Sequence, residues 1–183
     1  MDFNLCSFPL SANIILMRIG HGYDVHKLVS KEEYLQIYPS RKEPQLILAG
    51  VVFDHDKVLL GHSDADLVIH ALCDALLGAS AQRDIGFHFP DSSEEFAGLN
   101  SFVLLNNVQK LLEKKSFTIV NIDITLIAQE PKVAKKVPEM IEKIAQALNL
   151  KLDQVNLKAT TTEKLGFIGR GEGMACEAVC LLA

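Results

Sequence analysis

The chain has 183 residues, 49% hydrophobic and 22% charged, with four cysteines and no tryptophan. This is the size of one globular domain with a short appendage, and its apolar share excludes an intrinsically disordered chain. A formal net charge of -5 excludes a non-specific DNA binder, which needs a basic face to displace counterions, but leaves room for a small phosphorylated ligand.

No apolar run approaches the roughly 20 residues that span a bilayer. Residues 1–16, MDFNLCSFPLSANIIL, have no basic n-region and no small-residue cleavage site, so they do not read as a secretory signal. They read as an N-terminal extension, disordered or dispensable, before a working domain over 17–183. Cysteines 6, 73, 176 and 180 form no CxxC pair and point to free thiols in a reducing, cytoplasmic setting.

Met17 to His21 is a short strand candidate running into a loop at Gly22, and Lys31 to Pro44 reads as an exposed, charged excursion. Gln45 to Phe53 is a second apolar run and a strand candidate. Ser63-Asp64-Ala65-Asp66 fits a capping box, so a helix is predicted to start there. Leu67, Ala71, Leu72, Ala75 and Leu76 then recur at helical spacing, and Gly78 closes the run. Asp66, His70, Cys73 and Asp74 fall on or beside one narrower stripe of that helix.

The long polar stretch after Gly78 reads as a loop, followed by a helix capped by Ser101 and ending near Lys115. Phe117 to Ile127 alternates as a half-buried strand. Val133 to Leu148 reads as a third helix, with Pro138 awkward unless the helix proper starts near it. Val155 to Ala159 and Met174 to Leu182 complete the strands, separated by a glycine-rich stretch. The order predicts an α+β fold, a mixed sheet of about four to five strands with three helices packed on one face.

Asp24-Val25-His26 puts a carboxylate and an imidazole on the same side of an extended segment, and His70 offers a third ligand from a helix. Two His and one Asp suit a catalytic zinc with an open fourth position. Taken singly, Asp24 reads equally as a turn residue and His70 as a hydrogen-bonded, partly buried imidazole. His62 and Ser63 stand where the chain enters the predicted helix, a favourable place for a phosphate, though Ser63 reads as well as a simple cap. Thr160-Thr161-Thr162-Glu163 follows a strand, and three hydroxyls with a carboxylate suit phosphate and a divalent cation. The alternative is a threonine-rich strand end without a ligand. The glycine-rich stretch matches neither the dinucleotide fingerprint nor a Walker A loop, and there is no nucleophile elbow or HExxH.

The blocks RIGHGYDVH at 18–26, GHSDADLVIHALCDALLGA at 61–79, DIGFHFPD at 84–91, IAQEPK at 127–132 and KATTTEKLGFIGRGEGMACEAV at 158–179 together resemble the 2-C-methyl-D-erythritol 2,4-cyclodiphosphate synthase family. The resemblance covers essentially Met17 to Ala183. It implies a phosphorus-oxygen lyase of the non-mevalonate isoprenoid pathway that turns 4-diphosphocytidyl-2-C-methyl-D-erythritol 2-phosphate into the 2,4-cyclodiphosphate and CMP. The substrate's own 2-phosphate is then the nucleophile, which accounts for the missing nucleophile motif.

Carried over by resemblance, Asp24, His26 and His70 match zinc ligands, and Glu163 the ligand of a second ion, Mg²⁺ or Mn²⁺. His62 and Ser63 match a phosphate-contacting flexible loop and Thr161 a hydroxyl beside the diphosphate, His62 and Thr161 being the expected catalytic residues, with Thr160, Thr162, Phe167 and Arg170 in the same substrate-binding set. Asp84, Ile85, Gly86, Phe89, Pro90 and Asp91 fall in the methylerythritol phosphate region. Ala128, Gln129, Pro131, Lys132 and Ala134 match the loop that holds cytosine and its phosphates from a neighbouring subunit. Asp74 is expected beside the metal, supporting its ligands.

The resemblance also implies a homotrimer with active sites between subunits. Tyr23, Arg170 and Glu177 match residues near the threefold axis, around a cavity able to hold an isoprenoid diphosphate. Tyr23 stands where the family commonly has phenylalanine. A trimeric ligand sensor without catalysis and a zinc hydrolase that admits water at the metal are the rival readings.

Overall fold

The computed structural model describes residues 16–90 and 99–183. Within them the architecture is α+β, with a five-stranded mixed sheet in the order β4-β1-β7-β5-β6 and a separate two-stranded ribbon, β2-β3. The strands are β1 (Arg18–Ser30), β2 (Leu46–Leu48), β3 (Val51–Phe53), β4 (Lys57–Leu59), β5 (Ile119–Ile127), β6 (Val155–Thr160) and β7 (Gly173–Leu182). β1 runs antiparallel to β4 and β7, β5 antiparallel to β7, and β5 parallel to β6. The parallel pair is joined through a crossover helix, as a parallel connection requires.

Three long helices, α2 (Leu67–Ala79), α4 (Ser101–Lys114) and α5 (Val137–Ala147), match the predicted set; three short ones, α1 (Lys31–Ile37), α3 (Ile85–His88) and α6 (Gly166–Gly169), were not expected. Among the described residues no helix is long and apolar enough to cross a membrane. Pro138 sits in the first turn of α5, where its missing N–H costs nothing. The expected helix from Val133 therefore begins four residues late. α4 is capped by the Asn100 side chain, which accepts from the Phe102 N–H, and not by Ser101.

α2 lies between the sheet and α4, and nearly its whole circumference is buried. A helix apolar all round belongs in such a place. Leu67, Leu72, Leu76 and Leu77 are fully buried, each contributing about 1.5–3 kcal/mol of hydrophobic stabilisation.

β1 does not stop at Gly22. It continues to Ser30, because Gly20 and Gly22 are demanded by packing and not by a turn. A Cβ on Gly20 would lie 1.9 Å from the Ala75 carbonyl oxygen, and one on Gly22 2.0 Å from that of Ala71. Backbone therefore meets backbone where β1 crosses α2. The apolar run 45–53 is likewise a tight ribbon and not one strand, turning at Ala49 and Gly50, both with positive φ. The excursion 31–44 contains α1, whose Tyr34 is buried with Val29 and Val58.

Among the described residues, the face of the sheet away from α2 is open. Along it Tyr23 stands opposite Glu177, which faces Thr125, and Thr125 faces Lys158. Ile19, Tyr23, Val25 and Val179 on this face are 73, 49, 44 and 37% exposed.

Candidate metal and diphosphate site

Asp24 and His26 are two positions apart on β1, so their side chains leave the same face of the strand, toward α2. His70 comes from the second turn of α2. The Asp24 Oδ2, His26 Nε2 and His70 Nδ1 atoms converge: 3.0 Å from Asp24 to His26, 3.1 Å from Asp24 to His70, and 3.3 Å between the two ring nitrogens. The three residues form the candidate metal cluster among the described residues.

The outer ring nitrogens decide which atoms remain free for a ligand. His26 Nδ1 lies 2.7 Å from the Leu60 carbonyl oxygen; a carbonyl only accepts, so Nδ1 carries the proton and Nε2 offers its lone pair. His70 Nε2 lies 2.9 Å from Ser101 Oγ, whose own O–H donates to Asp64 Oδ1. Ser101 therefore accepts from Nε2–H, and His70 Nδ1 is left open toward the cluster. Ser63 Oγ stands 3.2 Å from the same Nε2.

Burial by itself favours the neutral acid at Asp24, but the His26 and His70 rings against it, which donate to it when doubly protonated and present their lone pairs when neutral, outweigh burial and hold the carboxyl well below the usual carboxylate range. His26 shifts the other way. Burial lowers its pKa, while the Asp24 carboxylate raises it by more, so the net shift is upward. A pre-ionised carboxylate and two imidazole lone pairs on one point are a donor set that fits zinc, with a fourth position for another ligand.

The helix start differs from the capping-box expectation. Asp66, not Ser63, caps α2, accepting from the Val68 and Ile69 N–H groups and, across the ribbon, from those of Ala49 (2.8 Å) and Gly50 (2.7 Å). Ala65 has φ +56, which breaks any earlier helical turn. The positive end of α2 is thus already matched by a buried carboxylate. Ser63 instead accepts from the Ala65 N–H. His62 and Ser63 face a cavity of about 410 Å³ with Asp24, His26, His70, Tyr38, Ile85, Gly86 and Phe89.

Asp74 accepts from the Ile85 N–H at 2.8 Å, which ties α3 to α2. Its carboxyl also feels the charges of Asp24 and His70, as expected of a residue beside the ligands. Asp84 caps α3 by accepting from the Phe87 N–H. Pro90 follows at the end of the described stretch, and Asp91 lies outside the described residues, as do residues 1–15.

A second cavity, about 590 Å³, is lined by Ala128, Pro131, Lys132, Ala134, Lys158, Thr160 and Thr161, at the ends of β5 and β6. Thr161 donates its hydroxyl to Glu163 Oε1 at 2.6 Å, and Glu163 is held at φ +52. Thr162 donates to the Leu165 carbonyl, and Gln129 Oε1 accepts from the Lys164 N–H at 3.4 Å. One exposed carboxylate beside hydroxyls suits an ion whose remaining ligands are phosphate oxygens and water. The two cavities share no lining residue, and Glu163 is not part of the Asp24, His26, His70 cluster.

Of the residues expected near a threefold axis, Tyr23 and Glu177 face each other across β1 and β7. Arg170 makes a two-pronged ion pair with Glu172, 2.8 and 3.0 Å, beside a third cavity of about 270 Å³. Phe167 packs over Gly173. Cys73, Cys176 and Cys180 are free and buried, their thiols pushed up by burial, while Cys6 lies outside the described residues.

Sequence reasoning did not find Leu60, Ser101 and Asp64 as partners of the ligands, nor the joint role of Asp66. They are backbone groups and small polar residues whose part depends on tertiary contact.

The YgbB family model matches residues 17–183. The 2-C-methyl-D-erythritol 2,4-cyclodiphosphate synthase of Clostridium perfringens is 52% identical over 166 residues, 91% of this chain and 99% of that protein. The protein of the same name from Thiobacillus denitrificans is 49% identical, over 91% and 96%. Among solved structures, the bifunctional IspDF from Campylobacter jejuni is similar with a TM-score of 0.82 and 39% identity, over 91% of this chain and 42% of that one. The CDP complex of IspF from Plasmodium falciparum is similar with a TM-score of 0.76 and 36% identity, over 91% and 95%.

Proposed function

The chain belongs to the YgbB family, that of the 2-C-methyl-D-erythritol 2,4-cyclodiphosphate synthases, and on that premise we propose a zinc-dependent synthase whose active sites lie between the subunits of a homotrimer. The reaction is that of its relatives. 4-Diphosphocytidyl-2-C-methyl-D-erythritol 2-phosphate is cyclised to the 2,4-cyclodiphosphate with release of CMP, in the non-mevalonate isoprenoid pathway. The observation that carries the metal-dependent reading is the convergence of Asp24 Oδ2, His26 Nε2 and His70 Nδ1, with both outer ring nitrogens already bonded.

An oxygen of the substrate's 2-phosphate forms a bond to the β-phosphorus, the bond from that phosphorus to the bridging oxygen breaks, and CMP leaves with the bridging oxygen. The chain supplies no nucleophile, so its work is positioning and charge neutralisation. When bound, zinc at Asp24, His26 and His70, with magnesium or manganese at Glu163, would neutralise the diphosphate and polarise its phosphorus.

His62 and Ser63, on the rim of the smaller cavity, orient the phosphate there, and Thr161 donates to the diphosphate from the other side. Asp84, Ile85, Gly86, Phe89 and Pro90 shape the methylerythritol end. Ala128, Gln129, Pro131, Lys132 and Ala134, with Thr160 and Thr162, hold the cytidine end, and Lys132 supplies a cation. The bound CDP of the Plasmodium falciparum neighbour supports a nucleotide in this reading.

Two features support the trimer. The two cavities share no lining residue within one chain, as expected if a partner brings the cytidine loop to the metal cluster. The open sheet face also carries Ile19, Tyr23, Val25 and Val179, an apolar surface that assembly would cover. Tyr23 and Glu177 on that face, with Arg170, are the candidates for holding an isoprenoid diphosphate near the axis. The free, buried cysteines fit a reducing compartment such as the cytoplasm, and residues 17–183 are taken as the working unit.

One assay tests the reading. Incubation with the diphosphocytidyl substrate, zinc and magnesium, followed by phosphorus resonance, is expected to give cyclic diphosphate and CMP. A linear phosphate product identifies a hydrolase instead, and unchanged substrate leaves the sensor reading.

A further inference from the structure

Arg41 lies in the excursion between β1 and β2, just after α1. Its guanidinium donates to the carbonyl oxygens of three successive residues, Gly61 (3.0 Å), His62 and Ser63 (3.0 Å), and to the Tyr34 hydroxyl (2.6 Å). It also lies over the Tyr38 ring, 4.3 Å from the centroid. Three consecutive carbonyls turned toward one point belong to no helix or strand pattern, where successive carbonyls alternate or run parallel to the axis. The planar fork of a guanidinium, with several donors and a full charge, holds them together. The clamp is itself anchored, because Tyr34 is buried against Val29 and Val58.

The clamped residues matter because of what their side chains face. His62 and Ser63 line the cavity that contains Asp24, His26 and His70, as does Tyr38, whose ring meets that of His62 edge-on at 6.4 Å. Ser63 Oγ reaches the His70 ring. We propose that Arg41 is a positioning residue that fixes the Gly61–Ser63 segment from behind, so that His62 and Ser63 are held toward the metal cluster before substrate arrives. Its effect on turnover rests on the synthase reading above; its effect on the segment does not. Arg41 touches no reacting atom and acts through the backbone of its three neighbours.

The test compares the zinc-loaded full chain with Arg41→Ala and Arg41→Lys. Hydrogen exchange over residues 60–66 is expected to rise about tenfold in the alanine variant, consistent with loss of charge-assisted bonds. Exchange in α2 and zinc content should stay at the wild-type level. The lysine variant, which keeps the charge but not the planar fork, should fall between. In the synthase assay kcat/KM is expected to drop about tenfold or more for alanine, with kcat reduced as well as KM raised, and lysine again intermediate. Unchanged exchange over 60–66 in the alanine variant overturns the clamp. Faster exchange with unchanged kcat/KM overturns its part in catalysis. A wild-type chain that forms no cyclic product counts against the synthase reading alone, and exchange then decides the clamp by itself.

Discussion

The ends of β1 and α2 and the ends of β5 and β6 both carry polar residues suited to a diphosphate, but they are built differently. At the first, each ligand is fixed by a partner distant in sequence: Leu60 for His26, Ser101 for His70, and the His70 ring for Asp24. At the second, Thr161 and Thr162 are half-buried, Glu163 is exposed, and their bonds reach residues no more than three positions away. The first is complete within one chain. The second rests on local bonds alone, and in the proposed trimer a neighbouring subunit would complete it.

The sharpest break in this contrast is expected from His70→Ala. The helix tolerates alanine, so the fold and assembly should survive while zinc is lost and turnover falls by about three orders of magnitude or more. Full zinc occupancy by metal analysis in that variant would refute the ligand assignment. Val179→Glu addresses the other half, placing a charge on the open sheet face. Sedimentation should show monomers that retain zinc yet make little product; an active monomer would mean that one chain suffices.

Glu163→Gln should keep zinc and lower kcat by roughly a hundredfold, in the range seen when one transition-state charge contact is removed. Raising magnesium should restore part of the rate if the residue acts through the second ion. The smallest effect is expected from Ser101→Ala, which removes the nearer of the two hydroxyls at His70 Nε2 and leaves Ser63 at 3.2 Å. Zinc affinity should weaken about 10- to 100-fold, read by chelator competition, with little change in kcat at saturating zinc.

The candidate cluster was legible in outline: Asp24-x-His26 on an extended segment and His70 on a strongly periodic helix are the three residues whose donor atoms converge. The five blocks of resemblance added the substrate, which no periodicity contains. The long helices were legible for the same periodic reason, while their starts were not. Asp66 caps α2 because it can serve the β2-β3 turn at the same time, a fact set by residues 49 and 50 and invisible in the local 63–66 pattern. Gly22 read as a strand end because glycine disfavours strands; the demand for it comes from a helix some fifty residues on. The clamp by Arg41 was hidden in a stretch whose composition says only that it is polar.

The meeting of β1 and α2 at Gly20 and Gly22 sets a standard of length for the molecule. With no side chains between them, the two backbones rest directly on each other, and the gap has no soft component that rotamer changes could take up. Asp24 and His26 follow on the same strand, and His70 stands one residue before Ala71, whose carbonyl is the contact point. The distance between the ligands is therefore gauged by a contact of backbone on backbone. A metal removed by a chelator should leave behind a receptacle of unchanged dimensions, ready to refill without refolding.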